Sequence, residues 1–69
     1  MQNLVVVGLG KVGSLVGLLL HKRFTISGFD RQAPAHPLPF PVLQGNVSDT
    51  EALYKALQYA DGVVSCLPY

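Results

Sequence analysis

Three glycines within six residues, Gly8, Gly10 and Gly13, separate an apolar run from a segment with helical periodicity. Few short sequences constrain a chain so tightly. Leu4-Val5-Val6-Val7 before them is a β-branched run, the habit of a strand covered on both faces of a parallel sheet. After them Val12, Leu15, Val16, Leu19 and Leu20 recur at three- and four-residue spacing, which predicts a helix with one broad apolar face. His21, Lys22 and Arg23 are expected in its last turn, where cations complement the helix dipole. A strand running through a glycine turn into a helix is the opening of a βαβ unit.

The rest of the chain extends that pattern. Phe24 to Phe29 reads as a second strand closed by Asp30. Prolines at 34, 37, 39 and 41 exclude a helix from 31–41 and predict an extended loop. Phe40 to Gln44 reads as a short third strand, with Pro41 tolerated near its start or at an edge. Ser48-Asp49-Thr50-Glu51 matches a capping box, with Ser48 as N-cap. Leu53, Ala56, Leu57 and Ala60 then line a helix that Asp61-Gly62 stops, and Val63 to Leu67 forms a fourth strand. The predicted architecture is α/β, β-α-β-(loop)-β-α-β, with Rossmann-like parallel strand order 3-2-1-4.

Each glycine has a separate physical task in such a turn. Gly8 permits the tight exit from the strand, Gly10 lets a pyrophosphate approach bare main chain, and Gly13 lets the helix pack close to the sheet. The helix N-terminus then offers N–H groups and a positive dipole end to the phosphates. Lys11 and Val12 stand at the same mouth. Asp30 lies 22 residues after Gly8 and 17 after Gly13, near the ~20 residues expected of an acid that holds the adenosine ribose. A carboxylate there accepts both ribose hydroxyls and repels a 2′-phosphate, which favours NAD. Arg31 beside it is the kind of group that accommodates that phosphate, so NADP is not excluded. The competing reading is a glycine turn that only packs, with Asp30 capping a loop; the agreement of motif, strand context and acid spacing weighs against it.

Composition removes other classes. The chain has 69 residues, 49% of them hydrophobic and 13% charged, with a net charge of +1. That balance offers no electrostatic footprint for nucleic acid. A single cysteine, Cys66, and two histidines, His21 and His36, exclude a disulfide framework and a four-ligand zinc site within one chain. Cys66 is expected as a small buried apolar group. Ser14 and Ser65 lack a nucleophile-elbow context, and no general acid or base stands out. The apolar N-terminus lacks the leading positive charge of an export signal and carries Lys11 in its middle, so neither export nor a membrane span is expected and the cytoplasm is.

The residues also carry a family resemblance. The stretches Val5 to Gly13, Phe29-Asp30-Arg31, Gly45 to Leu53 and Ala60 to Tyr69 together resemble the cofactor-binding N-terminal part of saccharopine dehydrogenase-like oxidoreductases. The resemblance spans nearly the whole chain, and its most telling part is the ending Ser65-Cys66-Leu67-Pro68-Tyr69. It implies Gly8, Gly10, Lys11, Val12 and Gly13 around the pyrophosphate and Asp30 and Arg31 near the ribose. It further implies Asn46 and Val47 near the adenine, Leu67 and Pro68 along the cofactor, and hydride transfer at an amino-acid C–N bond. The proline loop replaces a helix that the family normally carries. On this resemblance residues 1–69 correspond to the truncated half of a dinucleotide-binding domain, with the substrate domain absent. Turnover by the chain alone is then not expected, while self-association or packing against C-terminal sequence is. Nucleotide-sensing domains of potassium transport regulators resemble the same Gly8 to Gly13, Asp30 and 45–49 stretches and catalyse nothing, although their fourth strand leads into a polar turn. A bare dinucleotide-binding or dimerisation module is a third reading.

Overall fold

A computed structural model describes residues 2–34 and 36–67. β1 (Asn3–Val7), α1 (Lys11–Leu20), β2 (Thr25–Asp30), β3 (Val42–Gln44), α2 (Thr50–Leu57) and β4 (Gly62–Ser65) follow in chain order. The four strands form one parallel sheet in the order β3-β2-β1-β4, a Rossmann-like α/β arrangement. Register is set from the central strand, where Val6 stands between Gly28 of β2 and Val64 of β4.

The period of two along β1 divides the core into two faces. Val6 packs on one side with Leu9, Ile26 and Phe40, all buried. Val5 and Val7 point the other way, onto Phe29 and the apolar side of α2. The β3-to-β4 crossover carries α2 to that second face, so the two helices cover opposite sides of the sheet.

Several local expectations are corrected. The expected apolar face of α1 packs only in part: Val16 and Leu20 are half-buried, and Leu20 packs on the core around Val6. Gly13 and Gly17 are its buried residues, whereas Val12, Leu15, Leu18 and Leu19 are 66%, 56%, 41% and 69% exposed. The close approach of the helix depends on missing side chains as well: a Cβ on Gly17 would lie 2.6 Å from the Phe40 ring. Phe40, expected in the third strand, precedes β3 and plugs the core from the proline-rich connection, with Leu38 packed alongside. That connection thus does the covering work of a second helix.

α1 ends at Leu20, so His21 is its C-cap and Lys22 and Arg23 lie beyond the last turn. The His21 Nδ1 lies 2.6 Å from the Leu18 carbonyl oxygen, a bond that only its N–H form donates. Asp49 rather than Ser48 caps α2, accepting the Ala52 N–H at 3.2 Å. Ser48 instead donates its N–H and Oγ–H to Asn46 Oδ1 at 3.0 and 2.9 Å. Both residue types are good caps, and this turn at Asn46 decides between them. β4 begins at Gly62 and ends at Ser65, so Gly62 is not a helix stop and Cys66 is not within the strand. The Cys66 N–H still reaches the Val7 carbonyl at 2.8 Å. Cys66 is half-buried, not fully buried. Among the described residues no helix is long and apolar enough to cross a membrane.

Candidate functional site

The carboxyl ends of β1, β2 and β3, the N-terminus of α1 and the residues after β4 enclose one cleft of roughly 680 Å³. That size lies within the ~300–1,000 Å³ typical of small-molecule sites. The cleft opens where strand order reverses between β1 and β4, the place where open α/β sheets bind ligands. Gly8, Gly10, Lys11, Val12, Asp30, Arg31, Asn46, Val47 and Leu67 all line it. Gly13 does not; it lies beneath the turn. Pro68 lies outside the described residues. Phe29, Gln32, Gly45 and Cys66 also line the cleft and were missed in the sequence. Each adjoins a residue that sequence did single out, and adjacency to a strand end is the only signal that would have found them.

The three glycines occupy three different environments. Gly8 has φ +90°, a conformation that disfavours any side chain, and its N–H donates to the Phe29 carbonyl at 2.9 Å. A Cβ on Gly13 would stand 1.8 Å from the Gly8 carbonyl oxygen, so only glycine lets α1 come this close. Gly10 is the opposite case. Its backbone is extended, at φ −68° and ψ −162°, and nothing lies within 4 Å of where a Cβ would be. The protein tolerates a side chain at position 10; what glycine preserves there is open space in front of the helix.

α1 presents its N-terminus to that space with no side-chain cap and no acidic residue in its first turn. Backbone N–H groups and the positive dipole end therefore face the cleft, a setting suited to an anion. Lys11 and Arg31 add positive charge along the walls.

Asp30 is the one carboxylate lining the cleft among the described residues. Its Oδ2 accepts the Leu9 N–H at 2.5 Å, and its Oδ1 accepts the Gln32 N–H at 3.1 Å. Burial pushes its pKa up, but the backbone N–H groups of Leu9, Gln32 and Arg31 and the Arg31 charge outweigh that effect. The carboxyl is held below its ordinary value of 3.8, so it is ionised at neutral pH. Asn46 and Val47 form the third wall; the Asn46 Oδ1 is occupied by Ser48, which orders the turn between β3 and α2.

One cleft thus joins a bare anion-accepting helix end, an ionised carboxylate and a partly apolar wall. Among the described residues no cluster of three or more His, Cys, Asp or Glu could hold a metal ion. Comparison with protein-family models and with curated proteins gives no match.

Proposed function

We propose that the cleft binds NAD(H), with the diphosphate at the α1 N-terminus, the adenosine ribose at Asp30 and the adenine beside Asn46 and Val47. The observation that carries this reading is the pairing of Gly10, whose missing side chain leaves the helix end open, with the Asp30 carboxylate across the same cleft. A Cβ and a larger side chain at position 10 would fill the cradle that the group needs. The residues present therefore fit a dinucleotide.

On this reading the chain is the cofactor-binding part of an oxidoreductase similar to saccharopine dehydrogenase. The bound nicotinamide would supply hydride acceptance or donation at an amino-acid C–N bond. The residues here bind and orient: main-chain amides compensate the phosphates, Lys11 adds charge at the mouth, and Asp30 selects an unphosphorylated ribose.

Gly10→Asp tests the reading with little confusion from folding. Aspartate is at least as good a helix N-cap as glycine, so the melting temperature should hold or rise slightly. Its carboxylate would sit where the phosphates belong. Calorimetric titration should show the unaltered chain binding NADH more tightly than NADPH, and Gly10→Asp losing at least about tenfold in NADH affinity. Undiminished NADH binding by Gly10→Asp, or a preference for NADPH in the unaltered chain, would contradict the proposal.

A further inference from the structure

Asp30 is occupied before any ligand arrives. An ionised carboxylate offers about four lone-pair positions, and two of the Asp30 positions already accept the Leu9 and Gln32 N–H groups. The bond to Gln32 is local, an ordinary turn at the end of β2. The bond to Leu9 crosses 21 residues of sequence and ties the glycine turn to a different strand. The Leu9 side chain reinforces it: it is buried, and its Cδ1 would lie 2.6 Å from a Cβ on Gly28, so it seats in a notch that only glycine leaves in β2. The Leu9 carbonyl is held too, accepting the Ser14 Oγ–H at 2.9 Å. Leu9 is thus fixed by its N–H, its carbonyl and its side chain, and Gly10 follows immediately.

We propose that Asp30 is a positioning residue for the diphosphate as well as a partner for the ribose: by holding the Leu9 N–H against the end of β2 it sets the direction in which the amides after Gly10 face the cleft. This rests on the nucleotide reading above and adds a coupling between two parts of the site. The same carboxylate that takes the sugar hydroxyls also holds the phosphate turn in place. Charge-assisted hydrogen bonds are short and roughly twice as strong as neutral ones, which suits a tie that must keep a glycine-rich turn rigid. Asparagine cannot replace it. An amide accepts one of the two N–H groups and turns its own donors toward the other.

The test uses the whole chain with ADP and 2′,3′-dideoxy-ADP as probes, which differ only in the ribose hydroxyls. In the unaltered chain ADP should bind more tightly than the dideoxy probe. In Asp30→Asn the preference should shrink toward one, because the ribose partner is weakened. Affinity for dideoxy-ADP itself should also fall about tenfold, the size expected from losing one charge-assisted hydrogen bond. A merely structural role would lower the melting temperature and leave the affinity of the folded variant for dideoxy-ADP unchanged. Unchanged dideoxy-ADP affinity alongside weakened ADP binding overturns the positioning role and leaves the nucleotide reading intact. An unaltered chain that binds neither probe overturns both. A measurement without any variant covers the case in which Asp30→Asn does not fold. Amide hydrogen exchange of the ligand-free chain should show the Leu9 N–H exchanging at least about tenfold more slowly than the Lys11 N–H; equal rates overturn the proposal.

Discussion

The two helices are attached to the same sheet by opposite means. α2 rests on it through Ala52, Leu53, Ala56 and Leu57, and its N-terminus is closed by Asp49 with Glu51 in the first turn. α1 is seated through Gly13, Gly17 and Leu20, turns Val12, Leu15, Leu18 and Leu19 outward and has no side-chain cap. An aspartate steadies each entry turn, but Asp49 does so from the adjoining residue while Asp30 does so from a neighbouring strand. The contrast separates a helix held for stability from one placed for access. A glycine at the N-cap forgoes only about a few tenths of a kcal/mol of helix stability relative to a capping side chain, and what it leaves is a row of donors facing the cleft. Departures from local rules of this kind are expected where a protein binds something.

The largest effect should come from Gly13→Ala. A Cβ there would sit 1.8 Å from the Gly8 carbonyl oxygen and 2.9 Å from its carbon, both of them backbone. Neither can yield without moving α1 off the sheet. Overpacking costs ~1–3 kcal/mol even where side chains can shift, and more where they cannot. A domain this small has little reserve. Chemical denaturation followed by circular dichroism should show no cooperative transition. If Gly13→Ala unfolds like the unaltered chain, close backbone approach is not what holds α1, and the contrast between the helices fails.

Most of the architecture was legible because period and punctuation carry it. The β-branched run of β1, the glycine turn and the apolar face at Leu53, Ala56 and Leu57 each obey one rule and no competing one. The spacing from Gly8 to Asp30 likewise announced the cleft, since chain geometry brings the end of β2 beside the end of β1. Contact made by absence was legible at Gly13, where the turn motif requires close packing; what escaped was how much of the apolar face beside it stays exposed. Periodicity counts apolar side chains, so it selects Val12, Leu15, Val16, Leu19 and Leu20 as the buried face of α1, whereas Gly13 and Gly17 are its buried residues, Val16 and Leu20 are half-buried and the other three are exposed. Phe40 escaped for a related reason, because a proline-rich stretch carries no periodicity to mark which residue turns inward. The wall residues Phe29 and Gly45 carry no chemistry that distinguishes them in sequence.

A paired truncation sharpens the comparison. Leu53 packs against the core around Phe29, while Leu15 is 56% exposed. Leu53→Ala should cost about 1–2 kcal/mol, below the ~2–5 kcal/mol of a fully buried site because Leu53 is only partly covered. Leu15→Ala should cost no more than about 0.5 kcal/mol, since alanine is the better helix former and little burial is lost. Equal costs from urea melts would mean that the outer face of α1 is covered in solution. At the helix entry, Asp49→Ala should cost about 1 kcal/mol through loss of its cap, with a reduced urea midpoint at unchanged slope.

The smallest effect is the acid dependence contributed by Asp30, and it probes the long-range tie directly. Its pKa is depressed below 3.8 in the folded chain. In the unfolded chain the Leu9 N–H is no longer near, so the value there returns toward the ordinary one. A depressed folded value means that the folded state holds its proton less tightly than the unfolded state. The contribution to stability is therefore fully present above the ordinary aspartate range and is lost as pH falls through the folded pKa. The other carboxylates titrate in the same region, so the informative quantity is a difference between two proteins. Melting temperatures of the unaltered chain and Asp30→Asn, measured from pH 6 down to about pH 2.5, should differ by a constant amount at the upper end and converge at the lower. A gap that stays constant throughout would show that the carboxylate charge contributes nothing to holding the glycine turn, and the entry to α1 would then rest on Leu9 packing and glycine contacts alone.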